Sequence, residues 1–426
     1  MKISGVTGYQ VLDSRGRPTV AASITLEDGS KHTARVPSGA STGRHEAKEI
    51  RDGQSPLSNK FYGGKSVNQA ITNINSTIAP TLVGQEISLV KIDQLLSTLD
   101  STQDYSHLGA NATLAISISA ALAEAASHKK SLARFFNSDG PLSIPMPMVN
   151  ILSGGAHAGK TLDIQDVLVI PHGAASFAEA ISWVVAIREA AAMRGAQDKK
   201  ITHLIADEGG LGIPFASINE ACAFIVSTIE SVGLTPGHDV SIGMDIAATQ
   251  FFKDGRYHLD SEGKNLSAQE FGNYLLALLN NFPIISIEDP FAEDDWASWQ
   301  EFLAATPKGV QIIGDDLLTT NLSRLTRAID EKSANAILIK PNQNGLLTST
   351  FEVLRNAQKN GFKTIVSARS GETEDSWLAD IAIGWKAQQI KVGSTHGSDR
   401  TAKWNRLLEL EATEETIFTN PFDHLR

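Results

Sequence analysis

Five residues hold the chemistry that this sequence can do: Asp245, Glu288 and Asp315, and further along Lys340 and Lys391. Each acid directly follows a short apolar run, Val240 to Met244, Ile284 to Ile287 and Gln311 to Gly314. Such runs suit buried strands, so the three carboxylates lie where strands stop. Oxygen ligands without a neighbouring Cys or His favour Mg²⁺, which keeps water or substrate in its remaining positions. A lysine, ~10.4 when unperturbed, needs a lower pKa to act as a base, and burial beside a cation lowers it. Lysine beside Mg²⁺ is a pairing known from sites where the metal stabilises an enediolate formed by removing a proton next to a carboxylate, which makes that chemistry one candidate. Taken singly, each acid could instead be a helix N-cap or an ion-pair partner.

The elements that must position these residues follow from their spacing. Successive steps from Asp245 to Glu288, Asp315, Lys340 and Lys391 are 43, 27, 25 and 51 residues. A step of roughly 25 residues is one strand-helix unit, which predicts a (β/α) barrel with all five residues at its C-terminal mouth. Strands are expected at Val240 to Asp245, Ile284 to Glu288, Gln311 to Asp315, Ala336 to Lys340, Lys363 to Ser367 and Gln388 to Lys391. Helices such as Ala268 to Leu279 and Leu346 to Ala357 fall between them, and the long first step leaves room for an inserted loop around Phe252 to Gly263. Residues 1–135 read as a separate α+β unit. Thr19 to Val36 alternates like a strand and breaks at Asp28-Gly29, a hairpin signal. Ile71, Ile74 and Ile78 share a helical face, and Leu114 to Ala126 is apolar almost all round. A proline-rich linker, Pro141 to Pro147, leads into the barrel, which takes residues 136–426.

Composition narrows the classes of function. A chain of 426 residues with 42% hydrophobic content can bury a substantial core. A net charge of -11 without a Lys/Arg-rich block argues against a nucleic-acid partner. The single cysteine, Cys222, excludes an intramolecular disulfide and fits a reducing compartment. Its neighbours Ala221 and Phe224 predict a helix face and a packed thiol rather than a nucleophile. The start Lys2-Ile3-Ser4 shows no basic-then-apolar segment, and no uninterrupted apolar run of about 18 residues occurs. The expectation is a cytoplasmic protein without membrane contact.

Several segments together resemble the enolase (phosphopyruvate hydratase) family over nearly the full length. They are Leu12-Asp13-Ser14-Arg15-Gly16, the run Val36 to Gly43, Leu108 to Ala112, Asp207-Glu208-Gly209-Gly210, the run Ser286 to Asp295, Asn342-Gln343 after Lys340, and Arg369 to Asp375. The resemblance implies an α+β cap followed by a (β/α)8 barrel with an irregular ββαα start. It implies that Asp245, Glu288 and Asp315 hold a first Mg²⁺, and that Ser41, on a glycine-flanked loop, completes a second one bound with substrate. Lys340 would remove the proton at C2, Lys391 would neutralise the substrate carboxylate, and Glu208 would be the acid that helps the leaving group depart. Arg369 and Ser370 would bind a phosphoryl group, to which a fork-shaped cation is suited. His157, in a glycine-rich loop, would close over the substrate, with Gln165 and Asp166 nearby. A homodimer built through the N-terminal unit is implied as well, with Arg15 near the interface.

The sequence departs from the family pattern on one side of the site. Asp166 stands where the family pairs a glutamate with the Glu208 equivalent, a loss of roughly 1.5 Å of reach. A misplacement of about 1 Å can cost on the order of a hundredfold in rate. Ser367-Ala368-Arg369-Ser370-Gly371 replaces a Ser-His-Arg-Ser-Gly pattern, so an imidazole is missing. Asn344, Gly397 and Gln250 replace an apolar residue, an arginine and a glutamate. His396 is a candidate substitute for the imidazole, although a solvent-facing loop histidine is the preferred reading. Three functions remain. The favoured one is a paralogue acting on a phosphorylated or phosphonylated three-carbon acid, in the manner of carboxyphosphonoenolpyruvate synthase. The others are an ordinary enolase, converting 2-phosphoglycerate to phosphoenolpyruvate and water, and a weakened enolase fold kept for binding.

Overall fold

The computed structural model describes residues 1–40, 42–53, 60–155, 158–198 and 204–423. Strands β1 (Ile3–Leu12), β2 (Pro18–Leu26) and β3 (Lys31–Arg35) form an antiparallel sheet in the order β1-β2-β3. The alternation of β2 predicts one solvated face, yet nearly all of it is buried. The positions expected to face solvent, Thr19, Ala21, Ser23 and Thr25, are small, and the Ala-rich helix Ala110–Ser127 packs on the strand, with Ser119 Oγ donating to Ala22 O at 2.8 Å. Ile74 and Ile78 are buried as their spacing predicts, within a π-helical stretch Asn73–Ile78. Gly8 is required where this stretch meets β1, because a Cβ there would lie 2.8 Å from Ile74.

Residues 141–147 are not the loop that the prolines suggest. β4 (Leu142–Ile144) pairs with β16 (Thr416–Phe418), and Met146 already begins β5 (Met146–Ser153), the first barrel strand. Next come β6 (Asp166–Ile170), the helices Phe177–Gln197 and Ile218–Ser231, and β7 (Ser241–Asp245). The inserted segment after β7 folds into a small antiparallel sheet of β8 (Phe252–Lys253), β9 (Arg256–Leu259) and β10 (Lys264–Leu266). Then β11 (Ile284–Glu288), β12 (Gln311–Gly314), β13 (Ala336–Ile339), β14 (Lys363–Ser367) and β15 (Gln389–Gly393) alternate with helices. The closed order is β11-β12-β13-β14-β15-β5-β6-β7, with β6 antiparallel to both neighbours and the other pairings parallel. This is the ββαα start expected above.

Inside the barrel, Met146, Met148, Leu168, Ile313, Leu338 and Ile365 pack together, and Phe422 from the C-terminal segment joins them. The interior is therefore a filled core, and the predicted acids and lysines lie at the end where the strands finish, while Gln311 and Gln389, at strand starts, bond each other at 3.0 Å. No described helix is long and apolar enough to cross a membrane.

Candidate active site

Strand register brings the acids together. Glu288 pairs with Asp245 and Asp166 pairs with Asp245, so β6, β7 and β11 present three carboxylates at one level. Lys391, on β15, faces them across the barrel. Its Nζ donates to Asp245 Oδ2 at 2.6 Å and to Glu288 Oε2 at 2.7 Å. Lys340, just beyond β13, is ion-paired with Asp315, just beyond β12. Two amides order these carboxylates further: Gln165 Nε2 donates to Asp245 Oδ2 and Gln343 Nε2 to Asp315 Oδ1, both at 2.9 Å.

Charge in this buried layer is unbalanced. Burial, reinforced by Asp245, pushes the Glu288 carboxyl well above its ordinary range. Asp316 is pushed up to about 8 by burial and by the charge of Asp315. Asp315 itself lies below the ordinary range, because the Lys340 ammonium overcomes the cost of its burial. Both lysines are held as ammonium ions: burial works against their charge, but Asp315 beside Lys340 and Asp245 with Glu288 beside Lys391 outweigh it. The lowered lysine pKa expected from the sequence is thus absent from this arrangement, since the carboxylates meant for a cation hold the amines instead.

The residues present fit a hard cation. Glu288 Oε1 is buried and has no hydrogen-bond partner among the described residues, an orphan acceptor that a cation satisfies. The candidate ligand atoms of Asp245, Glu288 and Asp315 are all oxygens, as Mg²⁺ prefers. Among the described residues, the acids that bring one oxygen each within 4.8 Å of one another are Asp289, Asp315 and Asp316, which share only Asp315 with the predicted trio; Asp245, Glu288 and Asp315 do not come that close together in this arrangement, where lysines stand between them. Asp289 is already occupied, because its two carboxylate oxygens accept from Asp315 N at 2.9 Å and Asp316 N at 2.8 Å. It has φ 42°, a left-handed conformation that Asp tolerates better than most residues. The adjacent acids of β11 therefore differ in work: Glu288 enters the barrel, and Asp289 caps the backbone that carries Asp315.

A cleft of about 390 Å³, open side included, lies over this layer, with Gln165, Glu208, Asp245, Lys340, Arg369 and Ser370 in its wall. Ala247 and Asp316 also line it, which sequence reasoning did not single out. Asp166 is buried beside it. Ser153 Oγ donates to Asp166 Oδ1 at 2.6 Å, while Oδ2 is buried without a hydrogen-bond partner among the described residues. Burial, then Glu208, pushes this carboxyl well up. Glu208 Oε2 accepts from Asn150 Nδ2 at 3.2 Å. Ala368 is buried at the end of β14 and its backbone N–H donates to Lys391 O at 2.9 Å. Next to it, Arg369 Nη1 and Nη2 bond Glu46 at 3.0 and 3.1 Å. Ser370 Oγ accepts from Ala40 N at 2.7 Å.

Ser41 and His157 lie outside the described residues. Arg15 Nη2 donates to Ser38 O at 3.0 Å and to Asp13 Oδ2 at 3.0 Å. His396 is exposed, as the solvent-facing reading holds. The other unusual residues are accommodated. Asn344 Nδ2 donates to Thr320 O at 3.1 Å, Gln250 Nε2 donates to Gln165 Oε1 at 2.9 Å, and Gly397, with φ 90°, supplies the turn before helix Ser398–Thr413.

A closed eight-stranded barrel with carboxylates and lysines facing each other at one mouth, behind an α+β cap, is suited to acid–base chemistry, and the family matched by its two parts points to an enzyme of the lyase type. Residues 3–136 match the enolase N-terminal domain and residues 141–420 the enolase C-terminal TIM barrel domain, so the chain belongs to the enolase family.

Proposed function

We propose that this protein is a Mg²⁺-dependent lyase that removes the proton next to a carboxylate, acting on a phosphorylated or phosphonylated three-carbon acid other than 2-phosphoglycerate. The reading is supported chiefly by Lys340 and Lys391 converging with Asp245, Glu288 and Asp315 in one buried layer, with Glu288 Oε1 left unsatisfied. A protein kept for binding alone gains nothing from so costly a cluster.

In this reading Asp245, Glu288 and Asp315 hold the metal, and Ser41 a second ion that arrives with substrate. The carboxylates that now hold the two ammonium groups would be shared with Mg²⁺ when it is bound, and the metal would supply positive charge beside the substrate carboxylate. Lys340, as the neutral amine once Asp315 no longer pairs with it, takes the proton from C2 and becomes the ammonium ion, and Lys391 keeps its proton and faces the substrate carboxylate. Arg369 and Ser370 orient the phosphorus-bearing end, while His157 and Gln165 close the site around the middle of the molecule. Glu208, with Asp166 and its Ser153 partner, delivers a proton on the leaving-group side.

The altered substrate rests on where the departures fall. Asp166 and Ala368 are both on the leaving-group side, whereas the proton-removing groups are complete. An ordinary enolase is the second reading, favoured by that same completeness. Turnover decides between them: the account expects phosphoenolpyruvate absorbance from 2-phosphoglycerate with Mg²⁺ to rise far more slowly than in an ordinary enolase. An ordinary rate overturns the altered substrate. The protein is further proposed to be a cytoplasmic homodimer joined through its N-terminal unit. Exposed Leu12, Phe61 and Tyr62 on that unit support the joining face; light scattering at micromolar concentration measures the mass.

A further inference from the structure

Glu46 belongs to the N-terminal unit and yet is buried at the barrel mouth, only 6% exposed. We propose that it is a positioning residue: it fixes the guanidinium of Arg369 and, through Gln343, the carboxylate of Asp315, so that docking of residues 42–50 and assembly of the cleft are one event. This rests on the reading of Arg369 and Asp315 as binding groups.

The contacts run in both directions from one carboxylate. Oε2 accepts from Arg369 Nη1 at 3.0 Å; Oε1 accepts from Arg369 Nη2 at 3.1 Å, from Gly43 N at 2.9 Å and from Gln343 Nε2 at 3.4 Å. The forked pairing fixes the plane of the guanidinium, not merely its position. Arg369 Nη1 also donates to Asn342 Oδ1 at 2.9 Å, which holds the plane from a second side.

Gln343 transmits the effect. Its amide nitrogen faces two groups that only accept, Glu46 and Asp315, so the direction of the amide is set and its oxygen must face a donor. Thr320 Oγ1 is that donor, at 2.7 Å, and the same hydroxyl accepts from Lys340 N at 2.9 Å. Ala47 N donates to Gln343 O at 2.8 Å, adding a backbone link from the segment that carries Glu46. Glu46 is therefore connected through one side chain to Asp315 and, one hydroxyl further, to the backbone of Lys340.

Room for this arrangement is tight. A Cβ at Gly43 would lie 2.8 Å from Thr319 Cγ2, and Arg44 N donates to Glu293 Oε2 at 2.9 Å, so the segment can seat Glu46 only when fully against the barrel. A simpler role would be that of an ion pair holding cap to barrel. Arg35 and Asp375 form such a pair away from the cleft, with Nη1 2.5 Å from Oδ1, and serve as the control.

Glu46→Gln and Asp375→Asn are compared with the unaltered protein by hydrogen exchange without added metal, and by calorimetric titration with MgCl₂. In Glu46→Gln the amides of 313–318 and 340–345 are expected to exchange at least about tenfold faster than in Asp375→Asn. The Mg²⁺ dissociation constant is expected to rise about tenfold in Glu46→Gln, the usual effect of losing a partner behind a ligand, and to stay unchanged in Asp375→Asn. Equal exchange in the two variants overturns the positioning role. If even the unaltered protein fails to bind Mg²⁺, the reading of Asp315 as a ligand falls, and exchange still judges the coupling. Should Glu46→Gln not fold, Glu46→Asp, which keeps the charge but loses the reach to Gln343, gives the same comparison.

Discussion

Lys391 Nζ stands 2.7 Å from Glu288 Oε2, while the other oxygen of that carboxylate is buried without a hydrogen-bond partner among the described residues. One ammonium thus holds half of a group that asks for more positive charge than the chain supplies. Replacing Lys391 by Met strands Asp245 and Glu288 and is expected to cost about 3–5 kcal/mol. Saturating Mg²⁺ should return a good part of this, ~2.7 kcal/mol at a hundredfold excess over Kd. Thermal unfolding with and without MgCl₂ checks it: Lys391→Met should gain more in Tm from the metal than the unaltered protein does. An equal gain contradicts the assignment.

Asp93 gives a pH dependence outside the site. Its carboxylate accepts from Thr348 N at 3.0 Å and Oγ1 at 2.8 Å, and burial raises its pKa from 3.8 to about 6. A carboxyl raised on folding binds its proton more tightly in the folded state, so it costs stability as pH rises between about 4 and 6, and the cost is complete above that window. A shift of this size corresponds to ~3 kcal/mol. Asp93→Asn keeps an acceptor for Thr348 and cannot ionise. Its stability in urea, relative to the unaltered protein, should improve from pH 4 to pH 7; a constant difference contradicts the linkage.

The substrate reading predicts a gain of function. If Asp166 and Ala368 adapt the leaving-group side to another acid, Asp166→Glu with Ala368→His should raise dehydration of 2-phosphoglycerate by roughly 10²-fold, the scale of one positioned acid-base group. The same double variant should lose activity on the native substrate. Steady-state kinetics on 2-phosphoglycerate checks the gain, and no change would favour an ordinary enolase that tolerates these residues.

Cys222 is packed, its Sγ 4.0 Å from Met244 Sδ, and burial pushes the thiol up to about 12. A thiol so held is inert. Iodoacetamide at pH 8 should label the folded protein at least about a hundredfold more slowly than the urea-unfolded chain, as read by mass spectrometry.

The barrel and its acids are legible in the sequence because short apolar runs ending in carboxylates report strand ends directly, and the steps between them report the repeat. Other features need contacts between distant residues. Nothing adjacent to Glu288-Asp289 says which acid enters the barrel; the register of Glu288 with Asp245 decides it. Glu46 meets its partner Arg369 across 323 residues, and no local pattern signals that. Pro145 and Pro147 suggest a linker, yet proline is tolerated at the start of a strand, which is where β5 begins. β1 goes unread because Gly5, Thr7 and Gly8 break its alternation, the last of them for the close approach of Ile74.

The central claim is that Lys340 removes the proton next to a carboxylate with Mg²⁺ present, whatever leaves afterwards. Exchange of the C2 proton of 2-phosphoglycerate for solvent deuterium, followed by NMR, measures that step apart from dehydration. The account predicts exchange that needs Mg²⁺ and is abolished in Lys340→Ala. Exchange that persists in Lys340→Ala, or its absence from the unaltered protein with 2-phosphoglycerate and its phosphonate analogues alike, would contradict it.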